Sequence, residues 1–176
     1  MRFQINDYYD GERGNRKLKK QFVFSYNYSP GLLGEMLLVD LFVKKDMNFV
    51  LHLFFHDKKI ENELLKTPKN YRIEHYQESK LPYNVRVKLS KILKNDFILK
   101  ESYLNDKNIF GILDRTHIGS EINHLNDNFS VDLSPDTIDK TKFKSKSEVE
   151  FLQLIEVVEK WLNNLVKSTI NLYETE

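Results

Sequence analysis

Three stretches in the first third of the chain alternate apolar with other side chains at the two-residue period of a β-strand. The first is QFVFSYNY (21–28), which places Phe22, Phe24, Tyr26 and Tyr28 on one face before SPG turns the chain. The next two, GEMLLVDLFVKK (34–45) and FVLHLFFH (49–56), flank DMN, which reads as a three-residue hairpin loop with Asn48 in its left-handed position. Together they predict a three-stranded antiparallel meander. Its odd positions, Leu37, Val39, Leu41 and Val43 with Phe49, Leu51, Leu53 and Phe55, are wholly apolar and form the expected core face. The even positions mix Leu38, Asp40, Phe42 and Lys44 with Val50, His52, Phe54 and His56.

Beyond the meander the period changes. IENELLKTP reads as a short helical turn stopped by Pro68. In LPYNVRVKLSKILKND (81–96), Pro82 suits a first helical turn, and Val85, Leu89, Ile92 and Leu93 recur at helical spacing, although NVRVKLS also alternates as a strand would. Four short runs follow, FILKESYL, NIFGILD, THIGSEI and FSVDLS, separated by the turn-forming NDKN, DR and HLNDN. The last element opens with Ser147 and Glu150 as a capping box. Its stripe of Leu152, Ile155, Val158, Leu162 and Leu165, widened by Leu154, Val157 and Trp161, demands a sheet or a partner to pack on. The expectation is an α+β fold: an antiparallel sheet of about six or seven strands, with a long C-terminal helix and a shorter central helix packed on it. The 176 residues fit a single domain, in which the polar first 20 read as a mobile arm or a loop feeding the first strand.

Composition narrows the chemistry. There is no cysteine, which removes disulfides, cysteine-based zinc sites and thiol nucleophiles. The N-terminal 20 residues carry no apolar core of a signal peptide, and no apolar run is long enough to span a bilayer, so the expectation is a soluble cytoplasmic protein. Net charge is +1, distributed as +3, −2, +6 and −6 over residues 1–20, 21–57, 58–100 and 101–176. Such a bipolar chain either orients a charged partner or pairs its own blocks internally.

His52 and His56 have the spacing of two ligands one helical turn apart, but in a strand their Cα atoms stand ~13 Å apart, too far for one zinc. With DMN as the loop, Phe42 falls opposite His52, and Asp40 lies diagonal to both histidines. An Asp–His pair beside aromatics suits an acid–base couple, a pH-sensitive contact or a binding patch; more often it is a structural hydrogen bond. In LDRTHIGSEINHLND (113–127), alternation puts His117, Gly119 and Glu121 on one face and Ile118, Ser120 and Ile122 on the other, with His124 and Asp127 in the following turn. The polar groups therefore line an edge and do not converge. No nucleophile elbow, phosphate-binding glycine loop or zinc-protease motif is present, so no catalytic residue, metal or cofactor is assigned. The candidate partner-binding or polar patch comprises Asp40, Phe42, His52, Phe54, His56, His117 and Glu121, with Tyr8, Tyr9, Tyr26 and Tyr28 as further aromatic anchors or core residues. Nucleic-acid binding has RGNRKLKKQFVF and the series Lys80, Arg86, Lys88, Lys91 and Lys94 behind it, against a near-neutral chain. A metal-dependent hydrolase stands third, for want of clustered carboxylates.

Residues 109–167 run strand, Asp-led turn LDRTH, strand, polar turn HLNDN, strand FSVDLS, a Pro-containing connection, and a long helix with Trp161. This order resembles small bacterial immunity proteins encoded beside polymorphic toxins. In those relatives an aromatic, often Trp, precedes the Pro; here FSVDLSP offers Phe129. The resemblance implies a cytoplasmic inhibitor that binds one cognate toxin protein and performs no catalysis. The alternative is a nucleic-acid-associated or defence-related protein of a mobile element.

Overall fold

The computed structural model describes residues 3–12, 16–29, 36–56, 72–99, 116–133, 143 and 145–174. After a 3-10 turn at Ile5–Asp7 come β1 (Tyr9–Asp10), β2 (Lys17–Leu18), β3 (Phe22–Ser29), β4 (Met36–Lys44), β5 (Asn48–His56) and β6 (Arg72–Lys80). Helix α1 (Tyr83–Lys94), strands β7 (His117–His124) and β8 (Asp127–Leu133), and helix α2 (Lys146–Glu174) complete the order. The architecture is α+β. Six strands form an antiparallel sheet in the order β6-β5-β4-β3-β7-β8, and β1 and β2 pair as a separate two-stranded ribbon.

The expected meander is β3, β4 and β5, and the odd positions of β4 and β5 build the main core together with Phe24 and Tyr26 of β3. Val39, Leu41, Val43, Phe49, Leu51 and Leu53 pack with Val85, Leu89 and Ile92 of α1 and with Phe151, Leu154, Ile155, Val158 and Leu162 of α2. Each fully buried Leu, Ile or Phe contributes roughly 1.5–3 kcal/mol over an exposed one, so this layer holds the helices to the sheet. The helices also touch through Lys91 and Glu150, whose charged groups lie 3.2 Å apart, and through Lys88 Nζ donating to Gln153 Oε1 at 2.9 Å.

Several local expectations shift. In the β4–β5 loop the left-handed residue is Met47, at φ 63°, and Asn48 already begins β5. The reason lies in the bonds around the turn. Asp46 accepts the Asn48 backbone N–H at 3.0 Å and its amide at 2.8 Å, while the Met47 carbonyl accepts the Leu81 N–H at 3.1 Å. These contacts over-determine a conformation that a non-glycine residue seldom takes. The loop is therefore Lys45–Met47, and the pairing moves with it: Asp40 lies directly opposite His52, and Phe42 opposite Val50.

Phe22 also changes face. The pairing slips between Phe22 and Phe24, a bulge that sends Phe22 to the side opposite Phe24 and Tyr26. His124 ends β7 opposite Asp127 and is buried beside Phe97; the turn is the two-residue Leu125–Asn126, with Leu125 at φ 56°. At α2 the capping box is Ser145 with Glu148: the Glu148 N–H donates to Ser145 Oγ at 3.3 Å and the Ser145 N–H to Glu148 Oε2 at 2.7 Å. The cap thus lies two residues before the one expected at Ser147, whose own hydroxyl accepts the Ile98 N–H. Strand β6 was not expected at all. Among the described side chains of its RIEHYQESK only Ile73 is buried, as an edge strand allows, so apolar alternation is nearly silent there. The helical turn at IENELLKTP, the run NIFGILD, and Pro30 and Gly31 of the SPG turn lie outside the described residues.

Candidate functional site

The even face of the meander is covered by the N-terminal segment. Tyr8, Tyr9 and Leu18 pack on Phe22, Phe42 and Val50 as a second apolar cluster, with Phe3, Ile5 and Tyr76 against it. The Tyr8 ring stacks on Phe42 at 4.0 Å between centroids and 13° between planes, and Tyr9 meets Phe42 edge-on at 5.6 Å. The polar composition that suggests a mobile arm hides these side chains, and they hold residues 3–10 and 17–20 on the sheet. Three polar residues of β7 and β8 reinforce the hold. Glu121 Oε2 accepts the Leu18 N–H at 3.0 Å and the Asn128 amide at 3.0 Å. Asn123 Nδ2 donates to the carbonyls of Leu18, Lys19 and Phe22 at 3.0, 3.1 and 2.8 Å.

Beneath the segment a polar chain crosses four strands. Tyr9 donates its hydroxyl to Ser25 Oγ at 3.1 Å or Asn27 Oδ1 at 3.0 Å, and Asn27 Nδ2 donates to Asp40 Oδ1 at 2.7 Å. Asp40 Oδ2 stands 3.3 Å from His52 Nδ1, and Glu74 Oε1 stands 3.2 Å from His52 Nε2. A neutral imidazole has one N–H, whereas both His52 nitrogens face carboxylate oxygens, so the arrangement is that of an imidazolium donating twice. Phe3 lies flat on it, 4.1 Å between centroids and 3° between planes, where an aromatic face attracts a cation.

The Asp40 hydrogen bond raises the His52 pKa above its ordinary value; burial opposes, and the Glu74 bond and both carboxylate charges add to the rise. Burial lifts the Glu121 carboxyl, with the Leu18 and Asn128 bonds opposing. Burial likewise pushes the Tyr9 phenol upward, so it acts as a neutral donor.

A measurable pH effect follows. Because the folded pKa of His52 exceeds its unfolded value near 6.5, its contribution to stability is complete below about pH 6.5 and lost as pH rises through the folded value. The difference in unfolding free energy between the wild type and His52→Asn is therefore expected to shrink between about pH 6 and pH 9 in urea denaturation. A difference that stays constant across that range contradicts the imidazolium.

Of the sequence candidates, the structure brings Asp40, His52 and Phe42 together under residues 3–10. Phe42 is buried completely and His52 nearly so; Tyr8, Tyr9 and Tyr26 are buried too, while Phe54 and Tyr28 are half-buried. His56 is buried at the end of β5. Glu121 is part of the tether. His117 stands apart and exposed, with Nδ1 3.7 Å from Asp132 Oδ1 on β8. Sequence reasoning missed Phe3, Asn27 and Glu74. Asn27 was within reach once the pairing Asn27–Asp40–His52 was drawn in the right register; Glu74 was not, since its strand carries no pattern. It also missed the outward side of α1, where Tyr83 and Val87, one turn apart, are 74% and 47% exposed. The Arg86 guanidinium lies 5.6 Å from the centre of the Tyr83 ring.

Among the described residues no three His, Asp or Glu side chains stand close enough to hold a metal ion, and no helix is long and apolar enough to cross a membrane. Comparison with protein-family models, with curated proteins and with solved structures finds no match to the chain.

Proposed function

We propose that this chain is a non-enzymatic protein that binds and neutralises one partner protein, in the manner of the toxin immunity proteins its C-terminal half resembles in element order. The observation that carries the reading is the outward face of α1, with Tyr83, Arg86 and Val87 set toward solvent. Aromatic and Arg side chains supply most of the energy in protein interfaces, because each buries a large rigid area with a polar handle. The His52 cluster supports the same reading from the other side. An imidazolium that already donates to Asp40 and Glu74 offers no lone pair for a base or a metal ligand. A cysteine-free chain suits the reducing cytoplasm, where such an inhibitor works.

The test is co-expression with the products of the genes that neighbour the one encoding this chain. One of them is expected to arrest growth alone, to be harmless with the chain present, and to co-elute with it at fixed stoichiometry. Tyr83→Ala is expected to weaken that complex roughly 30-fold, the effect of losing an interface anchor worth about 2 kcal/mol. A chain that protects against none of these products and forms no stoichiometric complex with any of them sinks the proposal.

A further inference from the structure

Three connections that are far apart in sequence meet at one end of the sheet. The Lys45 N–H donates to the Gln21 carbonyl at 3.2 Å, joining the β4–β5 loop to the β2–β3 connection. The Leu81 N–H donates to the Met47 carbonyl at 3.1 Å, joining the same loop to the start of α1. Lys80 pairs with Asn48 across the β5–β6 ladder. Four lysines therefore gather there, Lys20, Lys44, Lys45 and Lys80, whereas Lys19 donates its ammonium to the Asn6 carbonyl. An open groove of about 450 Å³ runs between Lys20 and Gln21 on one side and Lys44, Lys45 and Asp46 on the other. Lys20, Lys45 and Lys80 are exposed. Like charges held at one end in this way make a positive potential that draws an anionic surface from a distance.

Resting on the protein-binding reading above, we propose that this lysine-lined end is the docking surface for an acidic face of the partner protein. Three observations favour a protein over a nucleic acid. Two acids are interleaved with the lysines: Glu78 is bonded to Lys44, and Asp46 holds the loop through Asn48. A continuous phosphate backbone meets both carboxylates, whereas discrete carboxylates on a protein can be set against the lysines alone. The chain carries a net charge of only +1, short of the basic excess of a dedicated nucleic-acid binder. Finally, α1 leaves this end directly after Lys80, and Tyr83 and Val87 supply apolar anchors beside the charged groups, the anatomy of a protein interface. The lysines steer and orient; the anchors hold.

The experiment titrates the isotope-labelled full chain at low salt with polyglutamate and, separately, with a single-stranded oligonucleotide of equal charge, following backbone amides by NMR. Polyglutamate is expected to move the amides of Lys20, Gln21, Lys45, Asp46 and Lys80, with at least about a tenfold loss of affinity in the triple variant Lys20→Glu, Lys45→Glu, Lys80→Glu. The corresponding triple Lys→Gln variant, which adds no repulsion, gives an intermediate loss and guards against a misfolded charge reversal. Shifts by the oligonucleotide alone transfer the surface to nucleic acid and overturn the proposal, as does the absence of shifts with either probe. With the cognate partner in hand, association is expected to slow about 10- to 100-fold in the charge-reversed variant. A complex indifferent to the reversal rejects this surface and leaves the neutralising function standing. Polyglutamate binding in a chain that protects against no neighbouring toxin rejects that function and leaves the surface.

Discussion

Phe42→Ala is expected to lower the unfolding free energy by about 3–5 kcal/mol, the range for removing a buried phenylalanine. The loss should fall unevenly across the molecule. Phe42 is the floor on which the N-terminal segment lies: its ring meets Tyr8 at 4.0 Å, Tyr9 at 5.6 Å and Phe22 at 5.9 Å. Without it, Tyr8 and Tyr9 border a cavity, and residues 3–10 keep the Tyr9 hydroxyl bonds, the Phe3 stack on His52, the Tyr8 contact with Phe22 and the bonds from Lys19 to the Tyr8 and Asn6 carbonyls. Amide hydrogen exchange is expected to show residues 8–10 and 17–19 opening well before the sheet does. Phe42→Leu, which retains most of the volume, should cost less than about 1.5 kcal/mol. Unchanged protection of residues 8–10 and 17–19 in the Ala variant means that the ring is not what holds the segment.

Leu51→Ala tests the other layer of the same two strands. Leu51 is fully buried on β5, opposite Leu41, in the core shared with α1 and α2. The expected loss is about 2–5 kcal/mol, and a chain of this size should melt on the order of 10 °C lower. In the folded protein the opposite face should be undisturbed, so the His52 titration followed by NMR should stay raised in Leu51→Ala. If that titration moves to the ordinary value, the two faces are coupled through the strands, and the two-layer description fails.

What the sequence revealed, and what it concealed, follows from which forces write a pattern. Burial against two long helices demands unbroken apolar alternation, so the odd positions of β4 and β5 and the stripe of α2 were legible at once. The even face buries fewer apolar side chains, and those come from a segment whose apolar residues are scattered among charges. Tyr8, Tyr9 and Leu18 therefore read as part of a polar arm. The Asp40–His52 couple was legible as residue types, but its geometry depended on which residue takes the left-handed turn. Asn48 was the better choice by intrinsic preference, and Asp46 defeats it by engaging Asn48 from the front. Moving the turn by one residue converts a diagonal pair into a directly facing one. Glu74 was out of reach, because an edge strand in which Ile73 alone of the described side chains is buried leaves no period to read. The α2 cap shows the same competition on a smaller scale, since KSKSEVE contains two overlapping Ser-x-x-Glu boxes and only packing selects between them.

The grip of Asn123 on the carbonyls of Leu18, Lys19 and Phe22 spans 105, 104 and 101 residues of sequence. A ribosome adding about 5–20 residues per second leaves that grip unmade for roughly 5–20 s after Leu18 is synthesised. During that interval the nascent chain holds β3, β4 and β5 but lacks β7, so Phe22, Phe42 and Val50 have no fastened cover. The N-terminal segment is thus secured only once β7 is made, which opens a vulnerable interval within synthesis. A chaperone that recognises aromatic surface would meet it there, and a chain truncated before Asn123 would carry that exposure permanently.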